Sequence, residues 1–134
     1  MQVSLFSEPR PTIEELVTRR EDQWFDRKSA RVDARALADL MIGFANADGG
    51  RVAVGIHGGE IEGVNAAPDH LNALRQAAID FTVPPVRHVL YTLDCTDRNG
   101  RPNQVLVIDV EASEQIHRNR KGECYLRVGD ETVV

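Results

Sequence analysis

Gly43-Phe44-Ala45-Asn46-Ala47-Asp48-Gly49-Gly50-Arg51-Val52-Ala53-Val54-Gly55-Ile56 is the stretch that decides the fold. Its first half ends a helix: Leu37, Leu40, Met41 and Phe44 recur at the three-and-four spacing of one apolar face, and Asp33 stands where an N-cap belongs. A glycine of the Gly49-Gly50 pair takes the left-handed conformation that closes a helix. Arg51 to Ile56 then reads as a strand, and Gly58-Gly59 as a hairpin turn into a short strand at 60–64. An apolar-faced helix turning at once into a strand means a helix layer packed on a sheet.

Upstream, Thr12-Ile13-Glu14-Glu15 after Pro11 fits a capping box and starts a helix over 12–20. Gln23 to Lys28 sets aromatics beside charges, the pattern of a strand with one buried face. Downstream, Pro68 opens a third helix with Leu71, Leu74 and Ala78 inward, and Pro84-Pro85 ends it. Strands follow over 86–95 and 104–110, joined across Arg98-Asn99-Gly100-Arg101, and a last strand over 123–128 runs into Gly129-Asp130. The expected fold is α/β of the α+β kind: one two-layer domain, a mixed and mostly antiparallel sheet, about three helices on one face. The chain divides into an N-terminal extension over 1–11 and the domain over 12–132, with no internal repeat or linker.

A hydrophobic content of 42% with 28% charged residues suits a packed domain and argues against global disorder. No apolar run approaches the roughly 20 residues that span a bilayer, and Met1-Gln2-Val3-Ser4-Leu5 lacks an export signal, so a cytoplasmic protein is expected. Cys95 and Cys124 have no metal-ligand spacing around them and read as free thiols. The net charge of −5 gives no global attraction to a polyanion, but segments 17–35 and 113–128 are each +2, leaving −9 for the rest. A local basic face on an acidic protein is therefore open.

Three groups of residues carry chemistry. Glu21, Asp26 and Lys28 end on a strand whose alternate side chains share a face; two carboxylates beside an ammonium are a way to hold Mg²⁺ or Mn²⁺ against a phosphate, and also an ordinary charged strand face. Asn46, Gly49 and Gly50 form a turn whose amides either accept a phosphate or merely close the helix, and the Gly-Lys-Ser/Thr ending of a Walker loop is missing. Arg118, Arg120 and Lys121, following His117, make a basic loop suited to phosphates or to solvent. His70 and His88 read as structural or surface residues. Phe6, Trp24, Phe25, Phe44, Phe81, Tyr91 and Tyr125 are few and fall mostly at core-like positions, so no stacking platform is expected.

These runs together resemble the Schlafen AlbA-like domain, a DNA-binding domain found in bacterial regulators and inside the eukaryotic Schlafen proteins. The likeness spans residues 12–132. The family pattern is a Glu followed five residues later by Glu-Phe-Lys, a helix ending Ala-Phe-Ala-Asn-Thr-x-Gly-Gly, a Gly-Val-Asp-Asp turn and a closing Tyr-x-Arg-x-Gly. Here these read Glu21 with Asp26-Arg27-Lys28, Gly43 to Gly50, Gly55-Ile56-His57-Gly58, and Tyr125-Leu126-Arg127-Val128-Gly129. In vertebrate relatives a related core cleaves structured RNA with acidic residues, which match Glu21 and Asp26. The third acid falls in the turn, where this chain has His57 and Gly58, with Glu60 two residues on.

The resemblance implies a regulatory module binding DNA or structured RNA through Arg27, Lys28, Arg118, Arg120 and Lys121, in a chain that continues into further domains. The alternatives are a divalent-metal endoribonuclease on a degenerate acidic site, and a nucleotide (ATP)-binding or homodimerising module. With two of three acids retained, binding without cleavage is the expectation, and Mg²⁺ or Mn²⁺ is expected only in the nuclease reading.

Overall fold

The computed structural model describes residues 9–134, so the extension expected over 1–11 lies almost wholly outside the described residues. Helix α1, Ile13–Thr18, begins with the expected capping box: the Thr12 hydroxyl accepts from Glu15 N–H and the Glu15 carboxylate accepts from Thr12 N–H. Strand β1 is Phe25–Lys28, shorter than expected because Asp22 to Trp24 form a turn. Helix α2, Ala34–Asn46, starts at Asp33, whose side chain makes no capping bond, and buries Leu37, Leu40, Met41 and Phe44. Strand β2, Gly50–Val54, follows the left-handed Gly49, whose N–H donates to Phe44 C=O at 2.8 Å.

Strands β3, Ile56–His57, and β4, Glu60–Ile61, make a two-residue hairpin with both Gly58 and Gly59 at positive φ. Helix α3, Pro68–Phe81, precedes the long hairpin of β5, His88–Thr96, and β6, Pro102–Val110. The main sheet has the order β1-β2-β6-β5, with β1 and β2 parallel and the other pairs antiparallel. This is the mixed α+β domain that the pattern implied.

Two expectations change. The helices do not share a face: Val52, Val54, Leu106 and Ile108 point to α2 and α3, while Phe25, Ala53, Val105 and Val107 cover the other side against Leu16 of α1. Short α1 closes a second, smaller core because β2 and β6 are apolar on both faces. The last strand also stays out of the main sheet. It forms as β7, Leu126–Val128, paired only with β8, Glu131–Val133, a strand the sequence reading did not anticipate.

The segment before β7 stays outside the main sheet, and Asn46 ties it to the end of α2. Its Nδ2 donates to the carbonyls of His117 and Tyr125 at 3.0 and 2.9 Å, and its Oδ1 accepts from His117 N–H at 2.8 Å. At Gly50 a Cβ would run into the Phe44 ring. Gly50→Ala is expected to lower stability in urea by about 1–3 kcal/mol through overpacking, and Phe44→Leu in the same chain to restore part of it; a Gly50→Ala protein as stable as the wild type contradicts this packing.

Candidate functional site

β1 has two faces with different work. Phe25 and Arg27 point toward α1, where the Arg27 guanidinium donates to the carbonyls of Leu16 (3.0 Å) and Arg19 and lies over the Phe25 ring. Asp26 and Lys28 point the other way, toward α2 and the β7–β8 hairpin, and stand 3.7 Å apart. Strand alternation thus separates Arg27 from Lys28, so the five cations expected on one surface do not share it.

Asp26 is the electrostatic centre. It is 5% exposed, and Arg127, itself 2% exposed, donates from Nη1 to its Oδ2 at 2.9 Å. The same guanidinium donates to the carbonyls of Asp22 and Phe25 and to the Thr132 hydroxyl. Glu21 sits beside this pair and accepts Arg27 N–H at 2.7 Å, covering part of the free edge of β1. Burial, then the hydrogen bond with Glu21, pushes the Asp26 carboxyl up to about 6. The same hydrogen bond holds Glu21 below the usual carboxylate range.

A hollow of about 490 Å³ opens beside Asp26, Lys28, Arg127 and Thr132. A second of about 230 Å³ is lined by Arg35, Phe81, Arg120 and Lys121, and the two meet at Asp39 and Tyr125. The basic loop is docked there: Asn119 donates to Asp39 at 3.0 Å, Arg120 Nε donates to Asp80 C=O at 2.8 Å, and Arg118 folds back onto Gly122 C=O. The structure therefore brings Lys28, Arg120 and Lys121 to one groove, and adds Arg35, which sequence reasoning missed although its helix-start position on the exposed side of α2 was legible. Glu123, Asp130 and Glu131 also line the groove, so its field is mixed. An apolar hollow of about 350 Å³ between Ala30, Val64, His70 and Leu74 contains none of these groups.

The glycine turn is not a phosphate cradle. Gly49 N–H is bonded to Phe44, a Cβ at Gly49 would meet Val110 C=O at 2.8 Å, and Gly50 is buried against Phe44. Asn46 spends its amide on His117 and Tyr125. The sequence could not separate the two readings, because closing a helix and cradling a phosphate use the same residue types.

Nor does the donor set fit a resident Mg²⁺ or Mn²⁺. Glu21 and Asp26 supply two carboxylates, one already held by Arg127, while His57 faces solvent in the β3–β4 hairpin opposite Glu60. Among the described residues no three His, Cys, Asp or Glu side chains are grouped to hold a metal.

Residues 21–134 match the Schlafen, AlbA_2 family model, which is most of the chain. The chain belongs to the Schlafen AlbA_2 family. Among solved structures, this AlbA_2 domain is similar to the DIP2311 protein from Corynebacterium diphtheriae, with a TM-score of 0.59 at 20% identity, a likeness of fold. The match covers 90% of this chain and 25% of that one, so the AlbA_2 domain spans about a quarter of that protein's length. No curated protein matches the chain. Among the described residues no helix is long and apolar enough to cross a membrane.

Because the folded Asp26 carboxyl titrates above its ordinary 3.8, its contribution to stability is whole below about pH 4 and lost as pH rises through about 6. Removing Arg127 strands the carboxylate. Arg127→Met is expected to cost about 3–5 kcal/mol at pH 8 and less at pH 5, where Asp26 holds its proton; urea unfolding at both values checks this, and an equal loss at both contradicts it.

Proposed function

We propose that this domain binds a nucleic-acid backbone through Lys28, Arg35, Arg120 and Lys121, as a module of a larger regulatory protein of the bacterial transcriptional-regulator type. One observation carries the reading: in a chain of net charge −5, the ammonium of β1 and the basic loop line two hollows that meet at Asp39 and Tyr125. Family membership points the same way, toward nucleic acid as the ligand class. Phosphates are the natural partners of such a row, and the neighbouring carboxylates keep the affinity modest.

The pH dependence follows from the acid pair. As pH rises through about 6, Asp26 loses its proton and the pair beside Lys28 goes from one negative charge to two. Phosphate binding at Lys28 weakens in the same window.

Cleavage of structured RNA is the second reading, favoured by one feature, the paired carboxyl groups of Glu21 and Asp26. Ligand count and the Arg127 contact weigh against it. Incubation of an RNA hairpin with Mg²⁺ or Mn²⁺ is expected to leave it intact; robust metal-dependent cleavage, abolished by Glu21→Ala or Asp26→Ala, makes the enzyme reading correct.

Binding itself is tested with labelled duplex and hairpin probes at two salt concentrations. The expected Kd is micromolar or weaker, about 10⁻⁶–10⁻⁴ M, and rises steeply with salt. Reversing Arg120 and Lys121 to Glu is expected to flatten the log–log salt slope by roughly 2, at about 0.9 per lost phosphate contact. Arg27→Ala, on the far face of β1, leaves the slope unchanged. Affinity and slope that are indifferent to the double reversal exclude the groove as the site.

A further inference from the structure

The main sheet ends in two edges that are finished differently. At β1, four residues long, the outward Phe25 C=O accepts from Asp22 N–H and from Arg127, and the outward Arg27 N–H donates to Glu21. The turn from Asp22 leads the chain away there and leaves Trp24, which the sequence set among core-like positions, exposed. At β5 no described strand covers the edge. Glu111 N–H donates to Arg87 C=O, and antiparallel bonding alternates along the ladder, so Val89, Tyr91, Leu93 and Cys95 turn their backbone groups to β6. His88, Leu90, Thr92, Asp94 and Thr96 turn theirs outward.

An edge of nine residues with no bulge and no proline is a template for another strand, and proteins that stay single interrupt such edges. The sequence of β5 says which strand fits. The one antiparallel register that pairs all nine residues with a second copy is centred on Thr92, whose N–H and C=O both face out. The bonded pairs are then Thr92 with Thr92, Leu90 with Asp94 and His88 with Thr96, about ten hydrogen bonds at two per pair. Asp94, the single acidic or basic side chain of β5 apart from His88, stands opposite Leu90 and not opposite its own twin. Just past the strand, Arg87, largely exposed beside Glu111, meets the opposite charge of the partner subunit's Asp97. On the α1 face the same register sets the exposed Val89 beside Cys95 of the partner subunit and Tyr91 beside Leu93 of the partner subunit. The apolar row at the rim of the smaller core thus continues across the twofold axis.

We propose that β5 is the self-association edge of this domain: two copies pair β5 with β5 antiparallel about Thr92, joining their main sheets into one continuous sheet with both α1 helices on the same face. A second copy is the occupant because the edge is complementary to itself in length, in charge and in its apolar row. The interface lies at the opposite edge of the sheet from β1 and the Lys28 groove, and it stands independently of the binding reading.

Sedimentation equilibrium of the whole chain is expected to show a reversible monomer–dimer equilibrium. Thr92→Pro deletes an outward N–H and spares the β5–β6 ladder. It is expected to weaken the dimer roughly 10- to 100-fold, the loss of the two hydrogen bonds at the axis. Thr92→Lys keeps the backbone intact and sets like charges face to face, and it is expected to act in the same direction. Circular dichroism of each variant checks that the monomer is folded. Register is read by a crosslink: the Cα atoms of a non-bonded pair stand about 4.5 Å apart, within disulfide reach. Val89→Cys with oxidised glutathione is therefore expected to give a reducible dimer, and adding Cys95→Ser to remove it. A wild-type chain that stays monomeric at every concentration overturns the proposal and leaves the edge to another strand. A dimer indifferent to both folded Thr92 variants overturns it by placing the contact elsewhere, and a Val89→Cys crosslink that survives Cys95→Ser overturns the register.

Discussion

The guanidinium of Arg127 is the constraint on which the C-terminal third and the groove both depend. It comes from a two-stranded hairpin that shares no ladder with the main sheet, yet it reaches across to Asp22, Phe25 and Asp26 at the start of β1. A buried cation of this kind is stable only when its donors are used, and here several are committed to β1 and Thr132. Its head also lies over Phe44, with the guanidinium carbon 5.0 Å from the ring centre. One side chain thus seats the hairpin on α2, fixes the turn before β1 and faces Asp26 with a positive charge.

The residues that make the family pattern recognisable are to a large extent this kind of connection. Asn46 binds the helix end to the 117–125 segment, Gly49 closes α2 against β6, Gly50 admits the Phe44 ring, and Arg127 carries the hairpin. Each meets a steric or hydrogen-bonding demand that a different residue would leave unmet. The pattern is therefore first a description of how two separated segments are brought together, and only secondarily a description of a ligand site.

Charge is arranged on the same frame. The buried Arg51–Asp109 pair, 2.6 Å apart with the Tyr91 hydroxyl on the same carboxylate, belongs to the α1 side of the sheet and is enclosed. The Asp26–Glu21–Lys28 group belongs to the other side and opens to a groove. Two similar sets of ionisable residues differ in consequence because both members of the first are buried, whereas Lys28 of the second is 40% exposed.

The sequence by itself determined the elements: the capping box at Thr12, the apolar face of α2, a left-handed glycine in the Gly49-Gly50 pair, the Gly58-Gly59 hairpin and the β5–β6 pair all follow from local chemistry and periodicity. It also determined that Asp26 and Lys28 share a side, since strand alternation is a local rule. What only the tertiary structure decided was the company these residues keep. Whether Asn46 meets a phosphate or the His117 backbone, whether Arg27 joins Lys28 or caps α1, and whether Trp24 is covered depend on segments up to about a hundred residues away. Local propensity is blind to such contacts, because they form through burial and long-range hydrogen bonds that appear only when β7–β8 folds back onto β1.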